Sequence, residues 1–292
     1  MDRILFDLPK RFREDGVDLG IFQYIAPPFM RTRSATVVHD ILPITHPELF
    51  PARFRIPRQL LFRNSMSRAD LVFTVSDFAA AEIRRTFPAL ASRVVVTPNG
   101  PSFPVEQLLS DRAIAPCKFG QFILTVGRIE KRKNVDLLVR SFRRANVKGV
   151  KLVIVGSPDL GFRWRVPEDP SIVHLTNVDQ MQLLDLYRSA ALFVYPSSAE
   201  GFGIPLLDAL LAGAPTVSSN QTSLPEVSSG LAELFDPTAA TSEDRLAAIL
   251  RNHFEGIAIC SANNADREAL SVKYSWRRTA EKFVEAVERL SA

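Results

Sequence analysis

Residues 191–219 read ALFVYPSSAEGFGIPLLDALLAGAPTVSS, and this stretch decides the fold class. It predicts a buried strand ending at Pro196, a polar loop, a helix with Pro205 in its first turn and Gly213 at its end, and a second strand after Pro215. An early proline and a late glycine are the usual boundaries of a helix. The order strand, helix, strand predicts a parallel sheet covered by helices.

The same alternation runs through most of the chain. Short runs rich in valine, isoleucine and leucine predict strands that start near residues 36, 71, 93, 122, 151, 172, 191 and 215. Stretches with helical spacing predict helices at 53–68, 77–87, 134–146, 179–189, 204–212, 242–254 and 276–290. Most of these strands end in a polar or glycine turn, and ligands bind at that carboxyl edge in open α/β sheets.

Two unequal parts follow from this pattern. Residues 1–101 are interpreted as a partial Rossmann-like domain, because they contain three clear strands and two weaker ones near residues 3 and 18. Residues 120–275 carry enough strand–helix units for a complete Rossmann-like domain. Between them, 102–119 has little pattern and two prolines and is interpreted as a linker. The C-terminal helix, in 276–292, is amphipathic and could pack on either part.

Composition excludes several protein classes. The chain has 292 residues, of which 46% are hydrophobic and 23% charged, as in soluble globular proteins. A net charge of +4 suits an anionic ligand or an acidic membrane surface, and no nucleic-acid-binding signature accompanies it. Cys117 and Cys260 form no C-x-x-C pair, which argues against a zinc or redox site. Without a signal peptide or an apolar run long enough to span a bilayer, we expect a cytoplasmic protein.

The loop SSAEGFG and the helix after it predict an anion site. The start of a helix presents free backbone N–H groups and a positive dipole end, which suit a phosphate. Gly201 and Gly203 let the backbone approach a ligand closely. Glu200 and Asp208 could both reach the cleft and hold sugar or ribose hydroxyls. The alternative is that both acids only complement the helix dipole.

Two further strand ends carry candidate residues. After the strand at 122–126, the loop GRIEKRKN places Arg128 and Lys133 before a helix, where cations suit a diphosphate, although a solvated basic turn is the alternative. Arg132 and Lys133 are adjacent and cannot point the same way, so Lys133 is the phosphate candidate and Arg132 a structural one. His39 ends the strand near residue 36 and could bond a sugar hydroxyl or move a proton, or it could be structural.

Taken together, these segments resemble the retaining GT-B-fold glycosyltransferases of family 4, also called glycosyl transferases group 1. The resemblance covers about residues 17 to 290. It rests on these motifs: VVHDILP (37–43), ADLVFTVSDFAAAEI (69–83), VVVTPNG (94–100), VGRIEKRKN (126–134), LYRSAALFVYPSSAEGFGIPLLDALLAGAPTVSSN (186–220), SLPEV (223–227) and YSW (274–276). It implies two Rossmann-like domains with parallel sheets.

The resemblance also implies roles for individual residues. Glu200 matches the first acid of the family's Glu-x7-Glu motif, beside the donor sugar, and Asp208 replaces the second glutamate, which holds the ribose. His39 matches a histidine near the donor sugar. The catalytic residues implied in this way are Glu200, His39, Arg128 and Lys133. The donor-binding residues implied are Gly127, Arg128, Lys133, Gly201, Phe202, Gly203, Ile204 and Asp208.

The resemblance implies a reaction as well. A hexose moves from a nucleoside diphosphate sugar to a glycan or lipid-linked acceptor with retention of configuration, in polysaccharide or cell-envelope glycan synthesis. GDP-mannose is favoured as the donor, because the HD…HPE and RKN segments resemble mannosyltransferase-like members, and UDP-sugars stay open. The departing diphosphate helps to deprotonate the acceptor and is stabilised electrostatically. We expect no cofactor besides the donor and no metal ion.

Family members usually begin with a βαβ unit and a glycine-rich loop, and this sequence starts well after that point. The resemblance implies that on the order of 70 residues of the first domain are missing. Three explanations stay open: a misplaced start, completion by another chain, or a reduced sheet. The alternative function is a catalytically impaired subunit that binds nucleotide sugar without turnover.

Two other hypotheses concern chemistry and location. A hydrolase that uses Glu200 and Asp208 as acid and base is disfavoured, because both lie at one helix N-terminus rather than on either side of a bond. The segment 51–68, PARFRIPRQLLFRNSMSR, has five arginines, no acids and several bulky apolar residues. It could contact an anionic membrane from the inner face, or it could be a helix that packs on its own domain.

Overall fold

The structure is a computed structural model that describes residues 7–28, 30–110, 118–159, 162–166, 168–257, 259 and 261–291. The strands are β1 Leu19–Gln23, β2 Arg33–Val37, β3 Leu71–Thr74, β4 Val94–Val96, β5 Gln121–Val126, β6 Val150–Val155, β7 Ile172–Leu175, β8 Leu192–Tyr195, β9 Thr216–Ser219 and β10 Glu233–Phe235. The helices are α1 Leu8–Glu14, α2 Leu42–Thr45, α3 Ala52–Arg68, α4 Asp77–Thr86, α5 Val105–Leu109, α6 Val135–Ala145, α7 Gln180–Ser189, α8 Ile204–Leu211, α9 Leu224–Ser228, α10 Ser242–Phe254, α11 Asn264–Lys273 and α12 Trp276–Ser291.

The chain forms two compact units. The first contains the described parts of Met1–Asn99 and Ser275–Ala292, and the second is Gly100–Tyr274. The predicted strand near residue 3, Cys117 and Cys260 lie outside the described residues. The weaker strand predicted near residue 18 is present as β1.

The sheet of the first unit is parallel, with the order β1-β2-β3-β4. One face packs on α3 and α4 through a cluster that includes Val72, Met66 and Ile83. The other face packs on α12, where the rings of Phe73 and Phe283 stack with centroids 4.2 Å apart. The C-terminal helix, whose location the sequence left open, therefore belongs to the first unit.

In the second unit, a parallel sheet has the order β10-β9-β8-β5-β6-β7. The chain leaves β5 toward β6 and later returns on the other side of β5 as β8, so β5 and β8 are neighbours at a topological switch point. Helix α8 is buried from Leu206 to Leu211, which explains its almost entirely apolar sequence. Crevices at the carboxyl ends of such neighbouring strands are where open α/β sheets bind ligands.

The predicted linker 102–119 differs from what the structure shows in its first half. Helix α5 begins three residues into this stretch, and Leu108 is fully buried in the second unit. The guanidinium of Arg267 donates to the carbonyl oxygens of Leu108 and Leu211, at 2.8 and 2.9 Å, and so ties α5 to the end of α8. A buried leucine and a buried arginine thus give order to a stretch with weak pattern. Residues 111–117 lie outside the described residues.

Across the described residues, we find no helix with both the length and the apolar character that a membrane crossing requires.

Candidate functional site

The loop after β8 leads directly into the start of α8, at the carboxyl end of the strand. Gly203 is the N-cap of α8 and has a φ of 106°, a conformation that suits glycine. A Cβ on Gly203 would lie 2.7 Å from a methyl group of Leu224. Pro205 has no N–H, and the amides of Leu206 and Leu207 bond to the Gly203 carbonyl, at 3.0 and 3.2 Å. The first turn of α8 therefore keeps its dipole end at the strand edge, as an anion site requires.

Phe202 has a structural side chain in this loop. It is buried, and its ring meets that of Tyr274 edge-on with centroids 5.3 Å apart. Ser223 donates from its hydroxyl to the carbonyl oxygens of Glu200 and Phe202, at 2.9 and 3.0 Å. These contacts hold the backbone of the loop in place between Glu200 and the start of α8.

Glu200 is buried and bonded to two cations. Lys133 Nζ lies 2.5 Å from Oε1, and a guanidinium nitrogen of Arg132 lies 2.7 Å from Oε2. The backbone N–H of Glu200 donates to the hydroxyl of Thr222 at 2.9 Å. Glu200 is therefore held in place through both its backbone N–H and its carboxylate.

Tyr195, the last residue of β8, completes this group and was not predicted from the sequence. Lys133 Nζ donates to its hydroxyl oxygen at 2.6 Å, and the hydroxyl donates to Glu200 Oε1 at 3.1 Å. The tyrosine is almost fully buried. We call Arg132, Lys133, Tyr195 and Glu200 the ion cluster.

Two loops meet through Arg132, in agreement with its predicted structural role. Its guanidinium donates to the Ala199 carbonyl at 2.7 Å and pairs with Glu130 at 2.7 Å. Its own carbonyl accepts the backbone N–H of Ser198 at 2.8 Å. Asn134, with a φ of 52°, donates from its side chain to the Pro196 carbonyl at 2.9 Å. The loops that follow β5 and β8 therefore hold each other in register.

Burial and pairing set the protonation of the ion cluster. Burial alone would raise the pKa of Glu200, but Lys133 and Arg132 outweigh it and lower that pKa to about 2. Burial lowers the pKa of Lys133, and the charge of Glu200 opposes this effect. Burial raises the pKa of the Tyr195 hydroxyl, and the charge of Glu200 adds to the rise. At neutral pH Glu200 is an anion and Tyr195 a neutral donor.

The predicted phosphate contact Arg128 lies at the same strand edge but in a different environment. Its side chain is exposed and pairs with Asp159 at 3.2 Å. The preceding Gly127 has a φ of 147° and lies against Gly156, where a Cβ would be only 1.9 Å from the Gly127 carbonyl oxygen. Only glycine fits at Gly156, so the turns after β5 and β6 touch through their backbones.

Asp208 has a position that the sequence did not anticipate. It is buried inside α8, where its Oδ1 accepts the backbone N–H of Ser102 at 2.9 Å. Burial raises its pKa to about 6, against the lowering effect of the hydrogen bonds from Ser102. The carboxylates of Glu200 and Asp208 therefore belong to separate networks, and a ribose contact of Asp208 stays a prediction.

His39 lies in the first unit, just after β2. Its Nε2 is 2.9 Å from the side-chain nitrogen of Gln23, and its ring lies 5.5 Å from that of Tyr24. Burial lowers its pKa, so the imidazole is neutral at neutral pH. The structure thus gives His39 neighbours at the end of β1, and its catalytic role stays a prediction.

The structure brings Glu200, Lys133 and Arg132 into one network, and it places Arg128 and residues 201–204 at the same sheet edge. The residues that sequence reasoning missed are Glu130, Asp159, Tyr195 and Thr222. Tyr195 gave a usable signal, since a hydroxyl at the last position of an otherwise apolar strand must find a partner when it is buried.

Comparison with known proteins gives the family that the sequence motifs predict. The family model described as glycosyl transferases group 1 matches residues 120–252, and the one described as glycosyltransferase family 4 matches residues 3–101. The O-antigen chain mannosyltransferase B of Escherichia coli is 31% identical over 281 residues, which is 90% of this chain and 72% of that protein. The chain belongs to glycosyltransferase family 4. This confirms the predicted family and the predicted enzyme class.

Two further proteins are similar at lower sequence identity. This glycosyltransferase is 28% identical over 283 residues to the serotype-specific mannosyltransferase WbdA of E. coli, covering 88% of this chain but 34% of that protein. The structure of Anabaena Alr3699/HepE in complex with UDP-glucose matches with a TM-score of 0.74 at 18% identity, covering 98% of this chain and 81% of that one. At that identity the match concerns the fold, and it confirms the predicted α/β, GT-B class.

Proposed function

We propose that this glycosyltransferase moves a hexose, with mannose as our specific choice, from a nucleoside diphosphate sugar to a glycan or lipid-linked acceptor with retention of configuration. The observation that carries the proposal is the ion cluster at the switch point between β5 and β8, beside the start of α8. A fixed cation, a fixed carboxylate and a helix dipole at one sheet edge are complementary to the phosphates and hydroxyls of such a donor.

Lys133 is the proposed diphosphate contact. An ammonium has three N–H donors, and those of Lys133 that bond to Tyr195 and Glu200 account for two of them. The third is available to a phosphate oxygen, and 11% of the side chain is accessible. Glu200 and Glu130 balance the charges of Lys133 and Arg132, so these four residues have no net charge. The attraction for a diphosphate therefore depends on the position of the Lys133 ammonium.

Arg128 is proposed to add a second cation once it leaves Asp159. Their 3.2 Å pair is exposed, and exposed ion pairs contribute only ~0–1 kcal/mol. A diphosphate with two or more charges competes easily with a single exposed carboxylate. The dipole at the start of α8 supplies the third attraction.

The proposed chemistry needs no protein nucleophile. The acceptor oxygen bonds to the anomeric carbon as the bond from that carbon to the diphosphate breaks. The acceptor proton passes to the departing diphosphate oxygen on the same face of the sugar, which accounts for retention. Lys133, Arg128 and the α8 dipole stabilise the charge that develops on the diphosphate. We also propose that the donor is used without a further cofactor, that Glu200 contacts the sugar, and that His39 has a catalytic role.

Mannose and the acceptor class are proposed from relatives. The E. coli proteins above are called an O-antigen chain mannosyltransferase and a serotype-specific mannosyltransferase. By analogy we propose GDP-mannose as the donor and a polysaccharide of the cell envelope as the product. We propose a cytoplasmic enzyme that works at the inner face of the membrane, where lipid-linked acceptors would be exposed.

The test offers the purified chain GDP-mannose, GDP-glucose and UDP-glucose with a lipid-linked saccharide acceptor. We expect mannose transfer, and nuclear magnetic resonance should give the product the same anomeric configuration as the donor. A Glu200→Gln variant, nearly equal in shape, serves as the inactive control. Inverted product would contradict retention, and transfer of glucose alone would contradict the choice of mannose. Saturable binding of every donor without transfer would replace the proposal with the impaired subunit.

A further inference from the structure

Helix α3 of the first unit has two faces of different kinds. Phe62, Ser65 and Met66 are buried on the inner face. On the outer face, Ile56 is 53% and Leu60 is 66% exposed. Large aliphatic side chains at such exposure are isolated on most soluble proteins, whereas these two lie one turn apart.

Arginines surround these exposed side chains. Arg53, Ile56, Leu60 and Arg63 follow at spacings of three and four residues and so share the outer face. The helix contains five arginines and no acidic residue. Leu61, 39% exposed, widens the apolar strip toward its edge. We call Arg53, Ile56, Leu60, Leu61 and Arg63 the outer strip.

The charge of the outer strip identifies what it can bind. A second copy of the chain meeting it about a two-fold axis would bring arginine against arginine, which is repulsive. A bilayer with anionic headgroups instead offers negative charge at its surface and hydrocarbon just beneath it. Arginine side chains can bond to the headgroups while leucine and isoleucine enter the interface.

We propose that the outer strip of α3 docks on an anionic lipid bilayer. The helix lies flat along the surface, with Leu60 and Ile56 inserted and Arg53 and Arg63 bonded to lipid phosphates. The inference rests on the proposed function in one respect, since a lipid-linked acceptor gives the docking a purpose. The docking itself requires neither donor nor acceptor, so it is measured in the absence of both.

The test is co-sedimentation with vesicles of phosphatidylcholine, with and without phosphatidylglycerol, at low and high salt. We expect binding only to vesicles with phosphatidylglycerol, weakened by salt. The pair Arg53→Gln and Arg63→Gln should weaken binding about 25-fold, at about fivefold per charge near an anionic surface. Leu60→Ser should weaken it roughly tenfold by removing an inserted side chain.

Matched controls lie in the second unit. Arg163→Gln with Arg165→Gln removes two exposed charges, and Val272→Ser changes a side chain that is 68% exposed. Both controls should bind vesicles as the unmodified chain does. Because the altered residues are exposed, circular dichroism and thermal melting should be unchanged in all four variants.

Three results would overturn the proposal. One is an absence of vesicle binding, and another is equal loss in the α3 variants and the controls. The third is a dimer in light scattering that Leu60→Ser abolishes, which would assign the outer strip to a second copy. Transfer to a soluble saccharide acceptor should be the same in the α3 variants, so loss of docking is distinguishable from failure of the proposed chemistry.

Discussion

The carboxyl ends of the two parallel sheets differ in how they hold polar side chains. In the second unit, Glu200, Lys133 and Arg132 form a buried network of full charges. In the first unit, the ends of β1 and β2 carry Gln23 and His39, which make a neutral contact between an exposed and a half-buried side chain. The carboxyl ends of two parallel sheets therefore carry polar groups of two different kinds.

The charges of the ion cluster are the reason for proposing that the second edge binds a diphosphate. Removing water strengthens every electrostatic interaction and costs free energy that only fixed partners can offset. The loops after β5 and β8 supply those partners. The first edge has no comparable cost among its described residues, and its hydrogen-bonding groups suit neutral sugar hydroxyls.

The largest expected effect comes from removing the carboxylate. Glu200→Ala removes the carboxylate partner of Lys133 and leaves Arg132 paired with Glu130 alone, and it should lower the free energy of unfolding by about 3–5 kcal/mol. Asp40→Ala at the first edge removes a carboxylate that accepts the Leu42 N–H at 3.0 Å, and should cost about 1 kcal/mol. Urea unfolding of both variants measures the difference.

The pH dependence sharpens this expectation. The low pKa of Glu200 means that its stabilising effect is complete above pH 4.5 and is lost as the pH falls toward about 2. The difference in unfolding free energy between Glu200→Ala and the unmodified chain should therefore become smaller as the pH falls from 4.5 toward about 2. Equal costs for the two alanine variants at neutral pH would contradict the contrast between the edges.

Asp208 shows what burial does to a carboxylate of the second unit whose pKa no neighbouring cation lowers. Its folded-state pKa of about 6 lies above the ordinary 3.8, so its ionisation destabilises the fold as the pH rises through about 6. Asp208→Asn should gain stability relative to the unmodified chain by up to about 3 kcal/mol between pH 4 and pH 8, the amount that corresponds to the pKa difference.

Thermal melts over this pH range in the absence of nucleotide would measure the gain. The exposed Asp185→Asn on α7 is the control and should show no such trend. A constant difference between Asp208→Asn and the unmodified chain at every pH would mean that Asp208 is not a buried carboxylate. A separate titration with GDP would then test the predicted ribose contact.

Tyr195→Phe should have an intermediate effect, because it removes one hydroxyl and keeps the ring. Lys133 and Glu200 each lose a bond, which should cost about 1–3 kcal/mol of stability. Without this positioning, affinity for a nucleoside diphosphate should fall about tenfold, the equivalent of 1.4 kcal/mol.

Tyr274→Phe separates positioning from stability. Its hydroxyl donates to the Glu226 carbonyl at 3.0 Å, outside the ion cluster. This variant should lose stability and keep diphosphate affinity in a calorimetric titration. If Tyr195→Phe also kept full affinity, Tyr195 would only stabilise the fold.

The smallest effect is expected at the first edge. His39→Gln should lower transfer five- to tenfold, the equivalent of about 1 kcal/mol for one hydrogen bond, and leave diphosphate affinity unchanged. Because burial lowers the pKa of His39, its protonation costs stability as the pH falls below 6.5, and the glutamine variant should not share that loss. A large drop in the diphosphate affinity of His39→Gln would contradict the proposal that only the second unit binds the diphosphate.

Much of the fold and part of the candidate site could be predicted from the sequence, because apolar runs and proline or glycine boundaries are local signals. They predicted β8, α8 and β9, and the motifs predicted Glu200 and Lys133 as site residues. Short elements such as α5 and β10 were missed, since their order depends on contacts such as Arg267 with Leu108. The burial of Asp208 follows from the packing of α8 on every side, which helical spacing alone does not reveal.

The most direct test of the central claim is a calorimetric titration of GDP-mannose into the unmodified chain and into Lys133→Gln. Loss of a preorganised cation should weaken diphosphate binding about a hundredfold, and the neighbouring Lys131→Gln should bind as the unmodified chain does. Equal affinity in Lys133→Gln and the unmodified chain would contradict the claim that the ion cluster between β5 and β8 holds the donor's diphosphate.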